Sequence, residues 1–134
     1  MTPDEFLKAS ARTDIPDYNK VVERFNEPGV AELMHAIMGM VTEAGEMMDA
    51  LKKYLIYGKP LDFVNITEES GDLEWYQALL LRTVQTRYET VMSINIAKLK
   101  KRYPEKFTES EALNRDLDAE RAILEEGTNS PARR

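Results

Sequence analysis

The chain has 134 residues, 43% of them hydrophobic, which is enough for one domain with a core and too few for two. It has no cysteine, so disulfides and thiolate metal sites are excluded, and a reducing cytoplasm is the expected compartment. A net charge of −6 without a basic stripe argues against nucleic acid polymers as partners, and it repels free nucleotides unless bound cations mediate the contact.

Met1-Thr2-Pro3-Asp4-Glu5 has no basic region followed by an apolar stretch, so no secretory signal is expected. Thr2 and Glu5 instead have the spacing of a capping box, with Pro3 in the first turn, and predict a helix over 3–11. Pro16 suits the first turn of a second helix over 16–25, which Pro28-Gly29 breaks. Over 30–56, Leu33, Ile37, Met40, Val41, Ala44, Met47, Met48, Leu51 and Leu55 recur at three- and four-residue steps and predict a long helix with a buried stripe. Its methionines read as soft core filler. Gly58-Lys59-Pro60 is a break, and Asn65 with Glu68 marks the start of a helix over 65–83. Thr86 with Glu89 opens another over 86–103, closed by Pro104, and Thr108 with Glu111 opens the last, over 108–126. Residues 127–134 read as a frayed tail, leaving 1–126 as the domain. The longest apolar run, Ala78-Leu79-Leu80-Leu81, is far shorter than the ~20 residues that cross a bilayer, so no membrane is expected as a partner. Without β-branched alternation, the chain predicts an all-α bundle with core helices at about 30–56, 65–83 and 86–103.

Acids occupy positions on these helices where a core is expected. Glu69 precedes Leu73, Tyr76 and Leu80 by four, seven and eleven residues and so falls inside the apolar stripe of its helix. Asp72 precedes Tyr76 by four and lies on the same side. An ionised carboxylate on a core face is costly unless it is paired or ligates a metal. Glu43 and Glu46 sit one turn apart at the edge of the preceding stripe; taken alone they could be ordinary solvated charges. Two antiparallel helices that each offer acids at i and i+3 can converge four carboxylates, and such an all-oxygen set suits Mg2+ or Mn2+. A di-iron bundle needs Glu-x-x-His on two helices, and the single histidine, His35, is not three residues after a glutamate. Further along, Asn95 falls within the face formed by Tyr88, Val91, Met92, Leu99 and Tyr103, with Lys98 and Arg102 along one flank. An amide and two cations suit a polyphosphate; a buried amide meeting a carbonyl, beside two snorkelling cations, explains the spacing equally well.

At His35-Ala-Ile-Met-Gly39, Thr42-Glu-Ala-Gly-Glu46, Glu68-Glu-Ser-Gly-Asp-Leu-Glu-Trp-Tyr76 and Asn95-Ile-Ala-Lys-Leu-Lys-Lys-Arg-Tyr-Pro104 the chain resembles the MazG-like all-α nucleoside triphosphate pyrophosphohydrolases. The resemblance covers roughly residues 30–107 and rests on the ordered pair of motifs E-x-x-E and E-x-x-D. It implies hydrolysis of a nucleoside triphosphate to a monophosphate and pyrophosphate, with Glu43, Glu46, Glu69 and Asp72 as magnesium ligands. Glu43 or Glu46 would then also orient or deprotonate the attacking water. It implies that Asn95 and Lys98 contact substrate, and a homodimer or homotetramer as the working form; Tyr76, one turn beyond Asp72 on the same face, is a candidate phosphate or sugar contact. Arg102 and His35 are further candidates for substrate contact; His35, two turns before Glu43, could equally serve in capping or packing. Alternative activities are hydrolysis of an alarmone such as guanosine tetraphosphate or of phosphoribosyl-ATP. A non-catalytic helical partner protein is the alternative outside the enzymes, and the presence of all four acids counts against it.

Overall fold

The capping boxes at the two ends of the chain form as their spacing predicts. In the computed structural model, which describes residues 1–129, the Thr2 hydroxyl accepts from the Glu5 N–H at 3.2 Å, and the Glu5 carboxylate accepts from the Thr2 N–H at 2.7 Å. This box opens α1 (Pro3–Ser10), and a turn of 3-10 helix over Ala11–Thr13 follows. The second helix, α2 (Asn19–Phe25), starts later than Pro16 suggests. Gly29 at φ +85° and Gly58 at φ +62° bracket α3 (Val30–Tyr57), both in the left-handed region that glycine enters without strain.

The Asp62 carboxylate accepts from the Asn65 N–H at 3.0 Å and takes the cap predicted for Asn65, so α4 (Phe63–Thr83) begins two residues early. That shift places Asn65 inside the helix, with its amide available to a side chain one turn on. In the next helix the N-cap position is Arg87, one residue beyond Thr86. The Thr86 N–H donates back to the Leu81 carbonyl at 2.9 Å, Gln85 turns at φ +54°, and α5 (Tyr88–Arg102) starts after Arg87. The single helix predicted over 108–126 is two: α6 (Glu109–Leu113), opened by the Thr108–Glu111 box, and α7 (Leu117–Asn129). Between them the Asn114 amide donates to the Ser110 carbonyl at 2.9 Å, and Asp116 accepts from the Ala119 N–H at 3.0 Å, starting a new first turn.

The predicted tail also needs correction, because helix α7 continues through Gly127 and Thr128 to Asn129. A Cβ at Gly127 would overlap the Ile94 side chain, so glycine sits there to let α7 approach α5 closely. Residues 130–134 of that predicted tail lie outside the described residues.

These elements form an all-α helical bundle with no strand among the described residues. Two antiparallel pairs, α3 with α4 and α5 with α7, carry most of the packing, and contacts between the pairs are sparse. The Tyr88 hydroxyl, which donates to the Glu74 carbonyl at 3.1 Å, is one tie between them. Ala36 and Gly39 are buried on α3, and a Cβ at Gly39 would overlap the Tyr76 ring, so the absence of a side chain lets that ring lie on the helix.

The stripe predicted for α3 is only partly the one that α4 covers. Ala36, Gly39 and Ala50 are buried, with Leu33, Met40 and Met47 half-buried. Ile37, Val41, Met48 and Leu55 are exposed, Val41 to 68%. Periodicity marks a face that wants cover, and it does not say which surface supplies it. No described helix is long and apolar enough to cross a membrane.

Candidate metal centre

Three carboxylates meet where α3 crosses α4. One oxygen each from Glu43, Glu69 and Asp72 lie within 4.8 Å of one another. Glu69 is buried, at 5% exposure, as its place in the apolar stripe predicts, while Glu43 is half-buried and Asp72 exposed. Asn65 steadies Glu69 from one turn earlier: its Nδ2 donates to Oε1 at 2.6 Å. Across the gap, the Thr42 hydroxyl donates to the Gly39 carbonyl at 2.8 Å, and a 3.4 Å contact links it to Glu43.

Glu43 bears the electrostatic cost of this convergence. Desolvation, a proton-sharing contact with Glu69 and the charges of Glu46, Glu69 and Asp72 all push its carboxyl above the usual 4.5. A divalent cation would remove that penalty, and an all-oxygen set of hard donors fits magnesium or manganese. The triad can thus hold such an ion through Glu43, Glu69 and Asp72.

Glu46 stands apart from this group. Its carboxylate lines an adjoining open groove of about 960 Å³ with Asp49, Lys53, Asp62, Asn65 and Glu68. It faces the triad as a neighbouring like charge, so the four-acid convergence expected from spacing is three acids plus a flanking one. Lys53 in that groove is held by Asp49 at 2.7 Å.

On the other side, Glu43 and Asp72 share a cavity of about 330 Å³ with Trp75 and Tyr76. Tyr76 therefore lies beside the acids. The exposed His35 packs its ring edge-on to Tyr76 at 5.7 Å and to Trp75 at 6.3 Å, which places it with the aromatic wall.

The predicted cationic face divides. Asn95 is exposed rather than set in a packed face, and Lys98 is half-buried; both belong to α5, in the other helical pair. Arg102 is engaged elsewhere. Its Nε and Nη2 donate to the two oxygens of Glu120 at 2.9 and 2.6 Å, and Arg115 adds bonds of 3.3 and 2.7 Å. Glu120 is buried, and these bonds, Arg102 first, lower its carboxyl to about 2. In this chain Arg102 ties α5 to α7 and does not face the acids of α3 and α4. Sequence spacing had no means of finding Glu120, since an arginine and a glutamate eighteen positions apart on separate helices have no fixed relation.

No protein-family model, curated protein or solved structure matches the chain.

Proposed function

We propose that this protein is a magnesium-dependent nucleotide pyrophosphohydrolase that converts a nucleoside triphosphate, ribo or deoxy, to its monophosphate and pyrophosphate. The observation that carries this reading is the convergence of Glu43, Glu69 and Asp72 within 4.8 Å, with one of the three buried. Burial of an acid among like charges stores a cost that a solvated surface cluster does not, and a ligated cation offsets it. When bound, magnesium supplies positive charge against the phosphates and lowers the pKa of a nearby water. The residues of this chain do the rest. Glu69, held by Asn65, fixes the inner edge of the site, and Asp72 meets substrate from the solvent side. Glu43 lies among these ligands, where its carboxylate would orient or deprotonate the attacking water. Glu46, one turn away, adds a flanking negative charge to the site. The cysteine-free chain suits the cytoplasm, where nucleotides are abundant.

The working form in this reading is a homodimer or a dimer of dimers. The outer face of α3, with Ile37, Val41, Met48 and Leu55, and the exposed Met92 and Ile96 of α5 offer apolar surface that a second copy would cover.

The test is magnesium-dependent release of pyrophosphate from a panel of dNTPs and NTPs. Pyrophosphate without free phosphate is expected, and Glu69→Gln should remove both the activity and any magnesium-induced rise in Tm. A Tm unchanged across millimolar magnesium, with no pyrophosphate released, would sink the proposal. Guanosine tetraphosphate and phosphoribosyl-ATP belong in the same panel.

A further inference from the structure

The cavity that Glu43 and Asp72 share with Trp75 and Tyr76 has two chemically distinct ends. One end is the outer part of the acid triad. The other is aromatic: Trp75 and Tyr76 meet nearly at right angles, with ring centroids 5.0 Å apart, and His35 backs both. Tyr76 lies on Gly39, where no Cβ intervenes, and this seats the whole aromatic group against α3. Despite these contacts the Trp75 side of the group is open, and the residue is 54% exposed. An indole fixed at one edge and open over its surface is unusual for a residue that ordinarily seeks cover.

Resting on the pyrophosphohydrolase reading, we propose that Trp75 is the stacking platform for the nucleobase of the substrate. A flat ring system is the ligand that such a wall accepts, because stacking uses the whole face of the indole and needs no particular pattern of donors. At about 330 Å³ the cavity is at the small end of ligand sites, which suits one planar ring and excludes a helix or a strand of a partner protein. The spacing along α4 supplies the connection. Asp72 is three residues before Trp75 and four before Tyr76, so the acids and the aromatic wall project from one face within a single turn. A base on Trp75 would leave its own phosphates beside Asp72 and Glu43, with only the sugar between. Stacking of this kind tolerates any base, so Trp75 sets affinity for nucleotides as a class and does not by itself choose among the bases.

Trp75 is the one tryptophan of the chain, and its emission reports on the platform directly. The experiment titrates the full-length protein in magnesium, with excitation at the red edge of indole absorption. One arm uses non-hydrolysable α,β-methylene analogues of several nucleoside triphosphates, and the other uses inorganic tripolyphosphate. Saturable quenching by every nucleotide, and none by tripolyphosphate, is the expected result. For pyrophosphate release, Trp75→Ala should raise KM for nucleotides roughly 5- to 150-fold with little change in kcat, and Trp75→Phe should keep most of the affinity. If calorimetry shows nucleotide binding while the emission stays constant and Trp75→Ala keeps its KM, the platform is overturned and the pyrophosphohydrolase reading stands. Emission that shifts with protein concentration and ignores nucleotides would assign Trp75 to contact between copies, and it overturns the platform too. Absence of both nucleotide binding and pyrophosphate release removes the parent reading and the platform with it.

Discussion

At the scale of single residues, the proposed metal centre depends on a side chain that makes no claim to be a ligand. Asn65 holds Glu69 through a 2.6 Å bond in the acid triad with Glu43 and Asp72. Groups that orient a ligand in this way typically govern metal affinity by roughly 10–100-fold. Asn65→Ala should therefore weaken magnesium binding by about that factor without unfolding the protein, and a magnesium titration followed by calorimetry measures it. Unaltered affinity would mean that Glu69 needs no support. The role of Asn65 was not legible in the sequence, because the residue read as an N-cap. It is Asp62 that takes the cap, and so frees the amide of Asn65 for Glu69. Glu69 itself was legible, since an acid four residues before Leu73 and seven before Tyr76 has nowhere to point except into the packed face. Glu46 shows the limit of that logic. It shares its helix with Glu43 at one-turn spacing, yet its carboxylate lines the adjoining groove.

Among the helices, closeness is set by residues without side chains. Two glycines inside α3 have opposite surroundings: a Cβ at Gly39 would strike the Tyr76 ring, and one at Gly45 would meet nothing within 4 Å. Gly39→Ala should thus cost about 1–3 kcal/mol through overpacking. Gly45→Ala should instead gain up to ~1 kcal/mol from helix propensity. Denaturant unfolding of the two variants checks both signs, and a stabilising Gly39→Ala would mean that Tyr76 is free to swing aside. The α5–α7 pair is tied by Glu120 and its two arginines. Glu120 titrates at about 2 in the fold against an ordinary 4.5. A depressed carboxylate contributes stability that is present above its unfolded value and lost as pH falls toward its folded one. The difference in Tm between the protein and Glu120→Gln should therefore be constant near neutrality and shrink between about pH 4.5 and about pH 2. A pH-independent difference would show that the ionised form of Glu120 is not what holds α7. The capping boxes of Thr2 and Thr108 made two helix starts readable, since capping is local chemistry. The break at Asn114 was hidden, because it serves contacts that Arg115 makes with Glu120.

For the molecule as a whole, the apolar budget is spent incompletely within one chain. Ala36, Ala50 and Leu81 are the buried apolar residues among those described, while Ile37, Val41, Met48 and Leu55 stay exposed on α3. The hydrophobic pattern of α3 was plain in the sequence, but a 3.6-residue period is the same whether its partner is α4 or another chain. We expect light scattering to show a dimer or tetramer at micromolar concentration, with Tm rising as protein concentration rises. A clean monomer that keeps full activity would remove this expectation and leave the metal centre untouched.

The division into two helical pairs has a kinetic consequence. Each pair joins segments near one another along the chain, α3 to α4 across residues 58–62 and α5 to α7 across 103–116. Loops of that length close at little entropic cost, and chains dominated by such contacts fold in microseconds to milliseconds. Each hairpin can therefore form before the sparse contacts between them matter. In the oligomer proposed above, assembly of two copies, limited by diffusion and by dilution, would then be the slow step, and the acids of α3 and α4 would already be converged while the chain is still alone.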